Sequence, residues 1–411
     1  MSDVALGIDV GTSGVRIAAV DQANQLMAMS SASYATPSRD PKLWWGMVAK
    51  ALEGLDLSAI NVKAIAVDGT SGTIIPIGED GAPLGPASMY NDVASAADAA
   101  MVMRAAPAKT AARGATSPLA RALSMKTRIL HQADWIAGQF SGRFDVTDEN
   151  NALKSGYDPV VRAWPEWIGQ TGFDTAFFPN VVAAGQHTGR ILPAVARHFG
   201  LPADVAIVAG TTDGCAAFLA SGARDPGDGV TSLGTTLTLK LLSDRPVFAP
   251  RYGIYSHRIG DQWLAGGASN TGGAVLGKFF SGDDIARLTL LLEPDRPTGL
   301  DYYPLLQPGE RFPINDPEFA PRLEPRPADE RLFFQAILEG IAAVEALGYK
   351  RLAELGASPL ASIRSAGGGA GNAAWTRIRL NRLGVGARNS RSEHAATGTA
   401  RLAWRGLGHE N

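Results

Sequence analysis

The sequence predicts an α/β protein built from two units of related architecture, each a mixed sheet with helices. Three observations carry this. The chain opens in the order β-β-β-α-β, which is neither a Rossmann nor a barrel opening. A second run of alternating strands starts near Val205. The turn Gly11-Thr12-Ser13, at the end of one strand, is echoed by Gly234-Thr235-Thr236 at the end of another. A boundary near Ala223–Gly229 follows, giving domains of residues 1–223 and 224–411.

In order, Val4–Asp9, Val15–Asp21 and Gln25–Ser30 read as three strands of an antiparallel meander joined by short turns. Pro41–Leu55 has helical spacing, and Val62–Val67 is a continuous apolar strand ending at Asp68-Gly69. The middle reads as helices over Ala94–Ala106, Pro118–Phe140 and Pro193–Phe199, with Thr147 or Asp148 as a cap for a short helix near Asn150–Lys154. Val205–Ala209 is a buried strand, and Ala216–Ala220 is the body of a short helix. Gly229–Leu233, Thr236–Leu242, Tyr252–Ser256 and Gln262–Gly266 then alternate as strands. Gln307–Pro327 is proline-rich and reads as an irregular loop. A long helix runs from Asp329 to about Leu355, Ser362–Ala366 is a strand, and helices at Ala373–Leu383 and Glu393–Trp404 close the chain.

Composition narrows the function. With 411 residues and 45% apolar content the chain can bury sizeable cores. A formal charge of −2 argues against a generic nucleic-acid binder. The one cysteine, Cys215, excludes an intrachain disulfide framework and a multi-cysteine zinc site, and reads as core. No apolar run reaches the ~18 residues that span a bilayer. The Met-Ser-Asp start lacks the regions of a secretory signal, so a soluble cytoplasmic protein is expected. The 47 glycines and 25 prolines are an excess, and the glycines mark the chemistry.

Five stretches combine glycine turns with polar groups. In Gly7–Arg16, Gly11 lets backbone amides approach an anion, Thr12 and Ser13 add hydroxyl donors, and Arg16 adds a cation suited to phosphate. Asp9, at the strand end, is placed to hold a magnesium ion; an ordinary hairpin with a capping Asp is the alternative. Ser232–Thr236, with Gly234, Thr235 and Thr236, is an analogous turn, or a common Gly-Thr turn. Ser365–Asn372 runs a strand into Gly367, Gly368 and Gly369, where a flat ring or phosphate can lie against backbone, or where a linker can flex. Asp213, within Gly210–Gly214, can serve as a base or cap a helix. Asp68, Gly69, Thr70 and Ser71, with Tyr90, Asn91 and Asp92, are dense enough in polar groups to bind a polyol, or to make turns. Gly272–Lys278 begins like a Walker A loop but lacks the Ser or Thr after the lysine and shows no preceding strand, so it is rejected.

Taken in order, these motifs resemble the FGGY carbohydrate kinases of the actin-like, hexokinase-type ATPase superfamily. Gly7–Arg16 is similar to the first phosphate motif, Gly210–Gly214 to the turn bearing the catalytic aspartate, and Ser232–Thr236 to the second phosphate motif. Gly309-Glu310-Arg311 through Asp316-Pro317 resembles the family's G-E-R-x-P-x-x-D-P loop, and Glu339-Gly340-Ile341 its E-G-I. Gly367–Asn372 with Trp375 resembles the adenosine motif, and Ala396–Ala400 the closing small-residue helix.

The resemblance implies two actin-like (ribonuclease H-like) domains around an interdomain cleft. The N-terminal domain would bind sugar and phosphate, and the C-terminal domain ATP. It implies ATP and Mg2+ as cofactors, with Asp9 and Asp213 at the metal and Asp213 as general base. Asp68, Gly69, Thr70, Ser71, Tyr90, Asn91, Asp92 and Asp213 would hold the sugar. Gly11, Thr12, Ser13, Arg16, Gly234, Thr235, Thr236, Gly272, Gly368, Gly369 and Asn372 would hold the nucleotide.

Many family members carry W-x-D-x-R where this chain has Tyr90-Asn91-Asp92-Val93, so an arginine is missing. The Asp68–Thr73 and Met89–Asp92 stretches are similar to those of a compact ribulose and xylulose kinase subgroup. D-Ribulose ahead of D-xylulose, phosphorylated at its terminal hydroxyl, is therefore the expected substrate. The partners implied are a small-molecule sugar or polyol, with a homodimer left open and neither nucleic acid nor membrane. An actin-like ATPase of non-metabolic role, or a kinase for another polyol such as glycerol, is the alternative.

Overall fold

The structure is a computed structural model and describes residues 1–409. The chain forms two compact units. The first comprises Met1–Ala220, His257–Gly260 and the C-terminal segment from His394, and the second comprises Ser221–Ser256 and Asp261–Glu393.

The first unit is built on a six-stranded mixed sheet in the order Leu26–Ser33, Gly14–Asp21, Ser2–Val10, Ile60–Gly69, Ala206–Thr212, His187–Arg190. Ser2–Val10 pairs antiparallel with Gly14–Asp21 and parallel with Ile60–Gly69, which in turn runs parallel to Ala206–Thr212. The central strands are apolar throughout because both faces are covered. On one face Leu6, Ile8, Ile17 and Ile65 pack with Trp44, Val48 and Leu52 of the helix Pro41–Glu53. That helix starts at Asp40, whose carboxylate accepts from the Lys42 amide, with Pro41 in the first turn.

The other face is lined by small residues. Ala5, Ala64, Ala66 and Ala206 meet Ala403 and Trp404, while Ala18 meets Ala396 and Ala400. Those partners belong to the last helix, Ala395–Arg405. The sequence boundary had assigned this helix to residues 224–411; in the structure the chain returns to the first unit for it. Its approach is backbone to backbone. A Cβ on Gly7 would lie 1.9 Å from the Ala396 carbonyl oxygen, and one on Gly398 would lie 2.0 Å from that of Ala216. Trp404 Nε1 donates to the Val20 carbonyl at 2.9 Å, fixing the helix end.

Two element readings are corrected. Pro118–Phe140 is not one helix: it is a helix Pro118–Leu123, a strand Arg128–His131 and a helix Gln132–Ser141. Lys126, at φ 51°, turns the chain, and Arg128–His131 pairs with a strand the sequence did not suggest, Ile74–Ile77. That pairing is non-local and overrides helical spacing. Tyr252–Ser256 is not a strand either. Pro250–Tyr252 makes a 3₁₀ turn, Gly253 sits at φ 66°, and the strand is His257–Ile259. This strand is held in the first unit by Asn150, which donates to the Arg258 carbonyl at 2.9 Å and accepts from its amide at 2.8 Å.

The second unit repeats the plan. Five neighbouring strands of its sheet are Gln262–Ser269, Leu237–Ser243, Asp228–Leu233, Ser362–Ala366 and Gly386–Ala387, in that order. Asp228–Leu233 pairs antiparallel with Leu237–Ser243 and parallel with Ser362–Ala366. The helix Glu330–Glu354 is long and apolar enough to cross a membrane, a length that reading the sequence for apolar runs overlooked. It is a core helix: Phe333, Phe334, Ile337 and Ile341 are buried in the unit's core, and Glu345 forms a buried ion pair with Arg379 at 2.7 Å. A strand, Gln262–Ser269, does precede Gly272–Lys278, so the Walker reading fails on the missing Ser or Thr alone.

In the first unit, the segment before the helix Ala96–Ala105 is anchored from a distance. Arg39 forks onto Asp92 through Nη1 and Nη2 at 2.5 and 2.6 Å, although 53 residues separate them. Arg121 donates to the Ser88 carbonyl at 3.0 Å and to the Gly72 carbonyl at 2.5 Å. The Arg39 hydrogen bonds hold the Asp92 carboxyl down to about 2, while burial lowers Arg121 to about 10.

Two outcomes follow. Gly398→Val drives a side chain into the Ala216 carbonyl and costs about 3 kcal/mol or prevents folding, whereas Gly277→Ala, facing open space, leaves the thermal transition unchanged or raised. Asp92 has a depressed pKa, so its contribution is complete above its unfolded value of about 4 and disappears as pH falls through about 2. The Tm deficit of Asp92→Asn is therefore largest at neutral pH and shrinks across that acid window.

Candidate functional site

Three parallel strands of the first unit end on one edge of its sheet, and each ends in or beside a carboxylate. Asp9 sits opposite Asp68 in register, and Thr211 sits opposite Asp68 on the other side. Asp213 follows directly as the first residue of the helix Asp213–Ala220. The carboxyl ends of parallel strands are where α/β sheets bind ligands. Asp213 is half-buried, and its Oδ1 accepts from the Gly214 amide at 2.7 Å.

Asp9 and Asp68 are not equivalent. Burial raises the Asp9 carboxyl, a hydrogen bond from Asp68 lowers it, the Asp213 charge raises it again, and Arg16 and His394 pull it down. Asp68 is fully enclosed, so burial and then the Asp9 charge push it well above the usual carboxylate range. The Thr399 hydroxyl, from the last helix, donates to Asp68 Oδ2. Asp68 therefore faces Asp9 and Thr399 inside the protein rather than an open polyol site, against its expected sugar-binding placement. Thr399 and His394 were missed as neighbours of this cluster; the signal available was the small-residue pattern Ala396–Ala400.

The first turn is shaped for close approach. The Gly11 amide donates to the Gly14 carbonyl at 3.0 Å, and a Cβ on Gly14 would lie 2.5 Å from the Ala32 carbonyl oxygen. Thr12, Ser13 and Arg16 are exposed, and Arg16 Nη1 stands 3.7 Å from Asp9 Oδ2. The structure thus brings Gly11, Thr12, Ser13, Arg16, Asp9, Asp68 and Asp213 to one edge.

The other polar stretch of this unit lies next to that edge in sequence. Gly69 ends the strand, and Thr70 is buried with its amide and hydroxyl both on Gln132 Oε1, at 2.9 and 2.8 Å. Ser71 is half-buried, and its carbonyl accepts from Lys154 at 3.4 Å. Tyr90 and Asn91 are exposed, and the Tyr90 amide donates to Thr73 Oγ1 at 3.1 Å. Asp92 is spent on Arg39. The guanidinium that pairs with Asp92 comes from a remote loop, with Arg121 beside it.

In the second unit, Gly234, Thr235 and Thr236 form a turn whose carbonyls accept from Gly273 at 2.8 Å and Ala274 at 3.1 Å. Gly272 is buried behind that turn at φ 144°, where a Cβ would lie 2.7 Å from the Thr235 carbonyl oxygen, so it supports the turn from behind. Gly367 packs against Leu233 and Gly234, and Gly369 fits under the Trp375 ring, while Gly368 faces open space. Asn372 caps the helix Ala373–Leu383, accepting from the Trp375 amide at 2.9 Å and donating to Thr289 at 3.0 Å. Its side chain is therefore structural, and what remains accessible there is the glycine backbone around Gly368.

A divalent cation suits this donor set in one way. Among the described residues no three His, Cys, Asp or Glu side chains form a closed metal cage. Yet burial and the Asp213 charge raise the Asp9 carboxyl, burial and the Asp9 charge raise that of Asp68, and Asp68 Oδ1 is buried without a hydrogen-bond partner among the described residues. Magnesium that keeps waters and phosphate oxygens, and takes one or two carboxylates, fits such a cluster.

Residues 229–407 match the C-terminal domain of the FGGY family of carbohydrate kinases. A xylulose kinase of Staphylococcus epidermidis is 23% identical over 445 residues, covering 99% of this chain and 89% of that protein. The crystal structure of a xylulose kinase from Rhodospirillum rubrum superposes with a TM-score of 0.86 at 20% identity, covering 99% and 90% of the two chains. A gluconate kinase from Lactobacillus acidophilus does so with a TM-score of 0.84 at 19% identity, covering 100% and 90%. At such identities the superpositions establish the fold alone, two mixed sheets flanked by helices. The match over residues 229–407, together with relatives and folds that span nearly the whole chain, makes this chain similar to the FGGY family of carbohydrate kinases.

Proposed function

We propose that the protein transfers the γ-phosphoryl group of ATP to the terminal hydroxyl of a ketopentose. The observation that carries this reading is the strand-end cluster of Asp9, Asp68 and Asp213 beside an exposed hydroxyl-rich turn with Arg16. Phosphoryl transfer asks mainly for positioning and charge neutralisation, which is what these groups offer. D-Xylulose stands first because relatives spanning the chain carry that name. D-Ribulose stands second, on the Asp68–Thr73 and Met89–Asp92 stretches. The first unit would take sugar and phosphate and the second ATP, in an enzyme of small-molecule metabolism in the cytoplasm.

Asp213 is assigned as the general base. It orients the sugar hydroxyl and takes its proton late, as the new O–P bond forms, which a carboxylate can do when the transition state is loose. Thr12, Ser13 and the amides of their turn bind phosphate oxygens, and Arg16 offsets their charge. Asp9, with Asp213, would hold Mg2+, which when bound neutralises charge on the phosphates. Thr399 and Asp68 act behind Asp9 and keep its carboxylate aimed at the sheet edge. Gly234, Thr235 and the backbone at Gly368 hold the nucleotide. Thr70 and Gln132 fix the turn that presents Ser71, Tyr90 and Asn91 to the sugar.

ADP release is expected to rise with D-xylulose or D-ribulose and to stay at background with glycerol and gluconate. If no ketose or polyol stimulates it, the chain is an ATPase of another kind. Asp213→Asn should lower kcat by about 10³-fold with KM for ATP little changed, and near-normal turnover removes it from the base role. Asp9→Asn should raise the Mg2+ concentration for half-maximal rate about 10-fold or more, and an unchanged requirement would count against Asp9 at the metal.

A further inference from the structure

The first unit holds a second cavity, of about 440 Å³, among residues that the proposed reaction does not use. It is lined by Arg128, Tyr157, Arg162, Trp164, Phe178 and Asn180. One wall is aromatic: Trp164 lies flat on Phe178 with ring centroids 3.8 Å apart, and Tyr157 meets Trp164 edge-on at 5.2 Å. The volume is that of a small-molecule site.

Its charge is unusual. Arg128 is half-buried, and among the described residues its guanidinium has no carboxylate or hydrogen-bond partner. A half-buried guanidinium with empty donors is costly unless a ligand or water meets it. Arg162 reaches the same cavity. Its Nε is 3.3 Å from the buried Glu149 carboxylate, and its backbone is left-handed at φ 55°, a strained conformation for a side-chain-bearing residue. The one carboxylate in the lining, Asp145, is already engaged. Arg143 forks onto it at 3.1 and 3.0 Å, and Asn180 reaches it at 3.4 Å, so it offers Arg128 no hydrogen bond.

We propose that this cavity binds a small organic anion, its phosphate or carboxylate head on Arg128 and Arg162 and its flat or apolar body against Trp164, Phe178 and Tyr157. An arginine fork matches both heads, and aromatic faces take the body. The site is separate from the Asp9–Asp213 edge and does not depend on the kinase reading.

The probe is phenyl phosphate, titrated into the full-length protein by calorimetry and tryptophan fluorescence, with benzoate and uncharged phenyl β-glucoside beside it. One saturable equivalent is expected for phenyl phosphate or benzoate, and none for the glucoside. Whichever anion binds tighter names the head group. Arg128→Gln should weaken binding about 10-fold or more, Arg128→Lys should weaken it less, and Trp164→Phe should remove the fluorescence response. Arg16→Gln, in the phosphate turn, should leave the titration unchanged. The proposal fails if neither anion saturates, if the glucoside binds as well, or if Arg16→Gln abolishes binding while the Arg128 variants do not. Should Arg128→Gln not fold, Arg128→Lys and Trp164→Phe decide.

Discussion

The first unit depends on a contact that only glycine permits. The last helix lies so close to the central sheet that the Gly7 backbone touches Ala396 and Ala400, and the Gly398 backbone touches Ala216 and Ala220. No side chain separates strand from helix or helix from helix. This draws together the first strand, the helix that begins at Asp213 and the helix that carries Thr399. The carboxylates at the sheet edge therefore take their spacing from backbone packing, which is stiffer than any side-chain contact. Alanines on the neighbouring strands, Ala5, Ala64 and Ala66, extend the same close fit and seat Trp404 and Ala403.

That rigidity has an electrostatic purpose. Carboxylates near one another in a desolvated place repel: burial and then the Asp9 charge raise Asp68, and burial with the Asp213 charge raises Asp9. A flexible scaffold would relieve the strain by moving them apart. Here Asp68 absorbs it instead: it is enclosed, biased toward its neutral form and bound by Thr399, so it can donate toward Asp9. A cation or an arriving hydroxyl would find a site already organised, and the cost was met during folding.

Much of this was readable from residues near in sequence. The apolar runs ending at Asp9, Asp68 and Asp213 and the glycine turns after strands carry the pattern of a strand edge that meets ligand. What stayed hidden was non-local. Arg128–His131 has helical spacing and becomes a strand only because Ile74–Ile77 pairs with it. Arg39 pairs with Asp92 from a loop no local pattern connects to it. Asn372 looks like a ligand group in a glycine motif, but it caps a helix. The last helix was visible as a helix, yet its partner strand lies at the other end of the chain.

That separation bears on the order in which the protein can assemble. A ribosome releases the strand Ser2–Val10 long before the helix Ala395–Arg405. Domains commonly fold as they emerge. The second unit has all its residues by Glu393 and can do so, but the first must keep its alanine-lined face uncovered until Ala395–Arg405 has emerged. The nascent chain thus carries an open apolar surface while the residues between these two elements are translated. The strand ends bearing Asp9, Asp68 and Asp213 acquire their final spacing only after the last helix docks.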